Sequence, residues 1–315
     1  LSAQNEYATT YSGGQFLSTL SGDNYTLTLD GQVANHAIKF ISSLSETEET
    51  MDICSWGAPA AAVIFPFGTG TAANPTGPCF FPVLREQEFE QASSELQVTS
   101  LFSGPINYVA GFYYLTSEAP FQTGPVQIIE SQQDLEARAL YGELTWDITE
   151  HWGLTAGARY TEEEKEFFVQ TPVGDFADGS DFDFDADEIT WRGILERRFD
   201  FGMIYASYST GFRSGGFNAR GTTPNTVGPY DSETVDTWEI GIRSQWLDNR
   251  LTVNATYFNA SYEDKQEQVV TAGDGSFLFE GEPEDCGGPT CTFVFNAGEV
   301  STSGIEIEAT ALVTD

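Results

Sequence analysis

Four long runs between Ile189 and Val270 alternate apolar with polar residues, and two very short turns, Asp-Phe-Gly at 200–202 and Asp-Asn-Arg at 248–250, join them in pairs. Leu251, Val253, Ala255 and Tyr257 share one face of a strand, and Thr252, Asn254 and Thr256 share the other. Before the turn, Trp238, Ile240, Ile242 and Trp246 share a face interrupted by Ser244, against Thr237, Glu239, Gly241, Arg243 and Gln245. Successive strand side chains point to opposite faces, so each run predicts a strand with one apolar and one wet side. These runs are about twice the ~5–6 residues of an ordinary strand. That length suits a tilted membrane-spanning strand of ~9–11 residues with an extension beyond the bilayer. The loop between the pairs, Phe217 to Ser232, is about sixteen residues long, and short turns alternating with long loops are the habit of outer-membrane barrels.

The same rhythm runs through the rest of the chain. Residues 1–22 are polar and read as a surface loop. Strands are expected near 25–33 and 38–53, with a tight turn at 34–37. Residues 54–84, rich in proline and glycine, form a first long loop in which the apolar stretch AAAVIFPF packs on itself. A strand near 85–99, a short turn at 103–105 and a return at 107–117 follow, then a loop over 118–134. Next come strands from 135–148 and from Trp152 onward, joined by a turn at 149–151. After a last long loop near 271–290, Cys291 opens a strand that runs to about Thr310, with Ile305, Ile307, Ala309 and Ala311 opposite Glu306, Glu308 and Thr310. The expectation is an all-β chain of about eleven antiparallel strands whose repeating unit is the hairpin, with no solenoid repeat.

Aromatic residues recur at the short turns. Trp146 and Trp152 bracket one, Phe199 and Phe201 another, and Trp246 precedes a third. That is the placement of an interfacial girdle, an apolar ring body with a wet edge. In 171–187, Asp181, Asp183, Asp185 and Asp187 alternate with Phe182, Phe184 and Ala186. A calcium loop of the EF-hand kind fails, because its sixth and twelfth positions hold Ala186 and Arg192. A strand extension above the membrane, with its carboxylates on one side, fits better.

Charge and cysteines narrow the reading. The net charge is −35, which argues against nucleic acid as a partner. Solubility and mutual repulsion are the plain meaning of that charge; divalent cations or lipopolysaccharide at the loops are the functional one. Mean hydropathy is −0.25, and no run approaches the ~18 apolar residues of a membrane helix, as expected for a barrel. The cysteines fall in two local pairs, Cys54 with Cys79 and Cys286 with Cys291, which suggests two disulfides in an oxidising compartment. A zinc site is a poor fit, since there is no CxxC and His36 and His151 lie far from both pairs. No metal or cofactor is expected.

The run YASYSTGFRSGGFNARG, followed by ETVDTWEIGIRSQWLDNRLTVNATYFNASYEDKQEQ, strongly resembles the barrel of TonB-dependent outer-membrane receptors. NAGEVSTSGIEIEA is similar to the family's next strand, and ALYGELTWDITEHWGLTAGARYTEEEK to an earlier pair. The resemblance covers residues 85–312 best. It implies a bacterial outer-membrane location, contact with lipid and lipopolysaccharide, and a barrel of about 22 strands closed around a plug. Residues 1–315 would then be part of that barrel, with the plug domain, the energy-coupling segment and the final strands outside this chain. By parity with the apolar face, Glu143, Arg159, Arg213, Glu239, Arg243, Glu306 and Glu308 are expected to face the lumen. The three arginines among them are candidates to meet a plug or an anionic ligand, against the plainer reading of lumenal salt bridges.

The function implied is capture of a scarce nutrient, most often a ferric siderophore or similar iron complex, and its import with energy from the TonB complex acting through the plug. Tyr11, Phe65, Phe67, Phe121 and Phe277 are aromatic candidates for stacking on such a small molecule. A passive porin-like channel and a structural barrel in a larger outer-membrane assembly are the alternatives. A secreted enzyme is disfavoured. Glu162 and Glu164 could pose as glycosidase carboxylates, but TEEEKE reads as a solvated strand extension, and no nucleophile–base set accompanies it.

Overall fold

The computed structural model describes the backbone of residues 3–11, 14–54, 82–125, 128–172, 174–274 and 285–312, and the side chains of 17–52, 83–124, 128–172, 174–224, 226–270 and 292–312. Its strands are β1 (Ala3–Tyr11), β2 (Gly14–Val33), β3 (His36–Cys54), β4 (Pro82–Ser100), β5 (Ile106–Pro125), β6 (Ile129–Asp147), β7 (Trp152–Gln170), β8 (Ser180–Phe199), β9 (Gly202–Arg213), β10 (Glu233–Trp246), β11 (Leu251–Glu263), β12 (Gln266–Asp274), β13 (Asp285–Asn296) and β14 (Val300–Ala311). A single helical turn, α1 (Pro224–Val227), lies between β9 and β10. Twelve strands form one sheet in the order β1 to β11 and then β14, while β12 and β13 make a separate pair. Every described pairing is antiparallel; from β2 to β11 each strand bonds to the one before it, β14 bonds to β11, and β13 bonds to β12.

Several expected loops are strands. Within 1–22, expected to be a loop, Ala3–Tyr11 forms β1 and the chain from Gly14 onward forms the first part of β2. The segment 118–134 is mostly ladder, since β5 runs to Pro125 and β6 starts at Ile129. Likewise β12 reaches Asp274 and β13 begins at Asp285, so Cys286 lies within a strand. The reason is common to all three. Beyond the bilayer both faces of a strand are wet, so the apolar alternation disappears while the hydrogen-bond ladder continues. The reverse error occurs after β11, which was read as continuous to Val270 and instead breaks at Asp264, whose φ is 52°.

The register assigns one face to every strand. Val33, Leu27 and Leu29 on β2 share their face with Phe40 on β3, Leu96 on β4, Phe112 on β5 and Leu140 on β6. Farther along, Trp191 on β8, Trp238 and Ile240 on β10 and Ile305 and Ile307 on β14 continue it. These side chains stand open: Leu140 is 64%, Trp191 61% and Ile305 70% exposed. A water-soluble monomer rarely exposes a continuous apolar patch above a few hundred Å². Here the patch runs across the sheet, and lipid is its solvent. No described helix is long and apolar enough to cross a membrane.

The outer face changes character at one level. Just above the apolar belt, Asp23, Glu46, Glu90, Glu118, Asp134, Glu166 and Asp183 are successive cross-strand partners from β2 to β8. Asp181, Asp183, Asp185 and Asp187 are all exposed on this face, while Phe182 and Phe184 turn inward, as the alternation predicts. Tyr160 and Tyr208 mark the boundary by donating to Glu162 (2.8 Å) and Asp236 (3.0 Å) directly above them. Arg138 pairs with both Glu162 (3.1 Å) and Glu164 (3.0 Å), so these two carboxylates are the arms of one surface ion-pair cluster.

The long connection after β9 folds onto the inner face rather than away from it. Gly216 and Tyr230 exchange backbone hydrogen bonds of 3.0 and 2.9 Å that close it into a compact loop. A Cβ at Gly215 would collide with the Tyr230 carbonyl oxygen, so only glycine lets the two backbones approach. Its apolar side chains, Phe217 and Val227, enter a core with Ile129, Phe167, Val169 and Phe176. Phe167 and Phe217 stack at 5.2 Å. Polar side chains tie down the rest. The buried Asn218 donates to Thr226 O and Thr292 O, both at 2.7 Å. Asn296 donates to Asp231 O (2.9 Å) and Asp264 O (2.8 Å), and Gln266 donates to Ser214 O (3.1 Å) and Asp231 O (3.0 Å). The Gln266 N–H bonds the buried Glu233 carboxylate (2.8 Å), and that bond diverts the ladder between β11 and β12.

Three outcomes test this architecture in the whole polypeptide. Ile240→Arg, on the outer face, should cost about 2–4 kcal/mol in reversible unfolding from lipid vesicles. Glu239→Arg, one residue away on the inner face, should be tolerated; equal losses would refute the face assignment. Like charges directly opposite each other cost ~0.2–1 kcal/mol per pair. Glu90→Gln with Glu118→Gln should therefore raise resistance to unfolding at low ionic strength, and the gain should vanish in high salt. Finally, Asn218→Ala should release the inner loop and speed trypsin cleavage after Arg220 severalfold; unchanged cleavage would remove Asn218 as a tether.

Candidate functional site

Between the upper inner wall and the folded loop lies an open cavity of about 620 Å³. Its wall comes from the ends of β4 to β7 above the apolar belt: Arg85, Gln87, Phe121, Ser131, Gln133 and Phe167. Its roof and far side come from the end of β9 with Arg213, from the loop with Phe217, Arg220 and Tyr230, and from β12 with Gln266 and Glu267. Parity explains the wall, since Arg85, Phe121, Ser131 and Phe167 all occupy inward positions of their strands. A volume of this size is that of a small-molecule pocket, typically ~300–1,000 Å³.

Several polar atoms at the cavity lack partners. Gln266 is 6% exposed; its amide nitrogen faces three carbonyl oxygens, so its oxygen points the other way, where it accepts nothing. Ser131 is 3% exposed and its hydroxyl is unpaired. Arg85 donates through Nη2 to Glu49 (2.7 Å) while its Nε–H is buried and unused. Leaving a buried donor or acceptor unsatisfied costs about 1–3 kcal/mol. Arg85, Ser131 and Gln266 all line the cavity, while these three atoms are themselves closed off from solvent.

Charge at the cavity is opposite to that of the outer face. Arg85, Arg213 and Arg220 line it with one lining carboxylate, Glu267. Among the described residues the Arg213 guanidinium has no ion pair. Behind the wall, above the apolar belt, Lys165 donates to Ser214 Oγ (2.7 Å) and to the Gly215 carbonyl. Burial pulls its pKa below the usual lysine range; the Glu163 carboxylate at 3.5 Å opposes the shift and Arg213 adds to it. Burial pushes the Tyr230 phenol up, and Arg213 works against that shift.

The inward residues expected from parity do not form one site. Glu143 lies against Arg192. Arg159 lies over the rings of Tyr113 (5.5 Å) and Tyr141 (5.8 Å) and donates to Thr161 (3.1 Å), while Tyr141 donates to Glu95. Arg243 lies over Tyr205 (5.6 Å). Glu239 stands on β10 opposite Ser207, and Glu306 and Glu308 on β14 opposite Thr256 and Asn254. Of this set only Arg213 lines the cavity, and Phe121, the one aromatic candidate whose side chain is described, lines it too. Phe65, Phe67 and Phe277, the Tyr11 side chain, Cys79 and the side chains of Cys54, Cys286 and Cys291 lie outside the described residues. At the opposite, short-turn end, Phe199 stacks on Phe201 (5.2 Å) and Phe201 on Trp246 (4.9 Å), and Arg197 bridges Trp152 and Phe199 at 5.4 and 4.8 Å. Trp146 pairs with Ile106 on the outer face at that end.

Sequence reasoning missed Arg85, Ser131, Lys165, Phe167 and Gln266. Strand parity carried a signal for Lys165, which shares its face with Arg159 and Thr161, but the surrounding glutamates made the run read as wholly solvated. Gln266 carried none, because its role follows from the break between β11 and β12.

A family profile described as TonB dependent receptor-like, beta-barrel, matches residues 2–312. The siderophore receptor PiuA of Acinetobacter baumannii is 26% identical over 189 residues, 58% of this chain and 22% of that protein. The pesticin receptor of Yersinia enterocolitica is 24% identical over 238 residues, 71% of this chain and 32% of the receptor. Among solved structures, the ferric yersiniabactin uptake receptor FyuA of Yersinia pestis superposes with a TM-score of 0.73 at 16% identity, covering 95% of this chain and 41% of the receptor. The PiuA structure gives 0.68 at 16% identity, covering 100% and 48%. The chain thus spans less than half the length of these relatives. With its lipid-facing belt, short and long connections at opposite ends and a profile match over nearly its whole length, the chain belongs to the TonB-dependent receptor family and forms outer-membrane β-barrel wall.

Proposed function

We propose that the protein takes up a scarce small-molecule nutrient across the outer membrane, with an iron complex of the siderophore kind as the cargo and the TonB complex as the source of energy. The observation that carries this reading is the cavity on the inner wall, above the level of the lipid belt, lined by arginines, aromatic rings and polar side chains. A ligand arriving from outside meets that cavity before the ion-paired wall around Glu143, Arg159 and Arg192. PiuA and FyuA, named for siderophore and ferric yersiniabactin uptake, support the choice of cargo class. Energy coupling would act through a plug domain of the whole protein, which meets the inner wall of residues 1–315. Release against a gradient needs that coupling, because a cavity that binds tightly lets go slowly.

Cells whose outer membrane carries the whole protein should accumulate radio-iron from ferric siderophores severalfold above cells lacking it, and a protonophore should abolish the difference. Protonophore-insensitive uptake, with steady conductance in planar bilayers, would overturn the reading in favour of a passive pore.

A further inference from the structure

We propose that the outer wall near the short-turn end binds one phospholipid, with its phosphate on Arg197 and an acyl chain in the hollow over Ala255. The inference goes beyond the uptake reading and rests only on the lipid-facing belt.

The phosphate is called for by an arginine without a counter-ion on the lipid side. Of the 13 lysines and arginines, only Arg138 and Arg197 take outward positions on the described strands. Arg138, above the apolar belt, is held by Glu162 and Glu164. The Arg197 guanidinium has no oxygen partner among the described residues, although the chain carries 48 aspartates and glutamates. It lies over the rings of Trp152 (5.4 Å) and Phe199 (4.8 Å) instead. Ring faces attract the charge and hold the head in place, but they offer no oxygen to its N–H donors. Arg197 stands two residues before the end of β8, at the level of the aromatic girdle. An outward arginine costs little at such an interface, and the ligand within its reach is a lipid headgroup. The planar paired donors of a guanidinium match two oxygens of a phosphate.

The acyl chain is called for by the shape of the wall beside it. A hollow of about 320 Å³ opens on the outer face, lined by Ile204, Ile240, Ile242, Ala255, Tyr257 and Ile305. Ala255 makes the dip, since its methyl group stands between two isoleucines, its cross-strand partners Ile242 and Ile307. The register joins this hollow to the arginine: Arg197, Ile204, Ile242 and Ala255 are successive partners across β8, β9, β10 and β11. Neighbouring strands lie about 4.8 Å apart, so the hollow begins one strand away from Arg197. From that row it extends one pleat to the Ile240–Tyr257 pair, away from the short turns and into the bilayer.

One ligand satisfies both features. Inside a bilayer an apolar hollow has no hydrophobic preference for one tail over its neighbours, and only van der Waals fit distinguishes them. The charge supplies the missing selection: it fixes the headgroup, and the hollow receives the chain that hangs beneath it. A free anion leaves the hollow to other tails, and an uncharged diacyl lipid leaves Arg197 unpaired.

The test uses the purified whole protein in a non-ionic detergent and three related probes. These are dioleoylphosphatidylcholine, dioleoylglycerol, which lacks the phosphate, and glycerophosphocholine, which lacks the chains. Native mass spectrometry reads the dissociation constant of the first molecule bound and the number of protein copies in the particle. The phosphatidylcholine should bind at least about tenfold more tightly than either fragment. Arg197→Gln should weaken it about tenfold, to the level of dioleoylglycerol, and leave dioleoylglycerol itself unchanged. Ala255→Leu, which fills the hollow, should weaken both diacyl lipids severalfold. Arg138→Gln, outward but ion-paired in the native chain, should change neither. Retained heat-resistant migration of the variants shows that the barrel is intact. Equal affinity for phosphatidylcholine and dioleoylglycerol, or phosphatidylcholine binding indifferent to Arg197→Gln or to Ala255→Leu, would overturn the proposal. Glycerophosphocholine bound as tightly as the lipid would make Arg197 a plain anion site and overturn it as well. A dimer that dissociates on Ala255→Leu would give the hollow to a second copy of the chain, with the same result.

Discussion

The hydrocarbon interior of a bilayer offers no hydrogen-bond partner to a peptide group, and the rest of this structure follows from that. Each N–H and C=O at membrane depth must be satisfied by a neighbouring strand. Antiparallel hairpins meet that demand most simply, and the chain builds every described neighbour pair of its twelve-stranded sheet in this way. Once the ladder is obligatory, the two faces are free to diverge. The outer one takes whatever lipid tolerates, and the inner one holds the chemistry.

The charge distribution shows how far the faces diverge. A row of seven cross-strand carboxylates from Asp23 to Asp183 lies outside, above the lipid. Such a row is unfavourable in isolation, and it is bearable because the high dielectric constant of the surrounding water holds each repulsion between exposed neighbours to about 1 kcal/mol. The inner face cannot rely on screening to the same degree. It pairs Arg192 with Glu143 and Arg85 with Glu49, and it lays Arg159 and Arg243 on tyrosine rings. The scarce cations of an acidic protein are thus concentrated where a ligand or plug would meet them.

The membrane-facing half of the fold was legible because lipid enforces a strict alternation. Trp238, Ile240 and Ile242 declared their face, and Glu239 and Arg243 theirs, before any coordinates. Above the bilayer the same strands lost their signature. Residues 118–134 read as a loop although Pro120 and Gln132 are ladder partners, and Pro120 is tolerated because the β4–β5 register has no pair at that position. The site was legible only in part for a related reason. Arg213 and Phe121 stand on strands and obey parity, whereas Gln266, Asn218 and Tyr230 act through a loop that turns back on itself. Its shape depends on Gly215 and on contacts between residues as far apart as Asn218 and Thr292. No local pattern encodes such a contact.

The folded loop also explains why unpaired atoms persist at the cavity. A flexible loop would let go of the Gln266 amide on β12 and free that side chain to turn. This one cannot, because Asn218, Asn296 and the Gln266 amide nitrogen bind backbone carbonyls from three separate segments. The stacked Phe167–Phe217 pair locks it from below. The same side chain of Gln266 therefore does two opposed things: its nitrogen spends its hydrogen-bonding capacity on rigidity, and its oxygen is held idle by that rigidity. Preorganisation of this kind lowers the ordering cost of binding, since the loss is taken when the protein folds rather than when the ligand arrives. A site built so should lose affinity when the loop is loosened even if every lining residue is kept, because the lining groups act as a set only while the loop holds them in place.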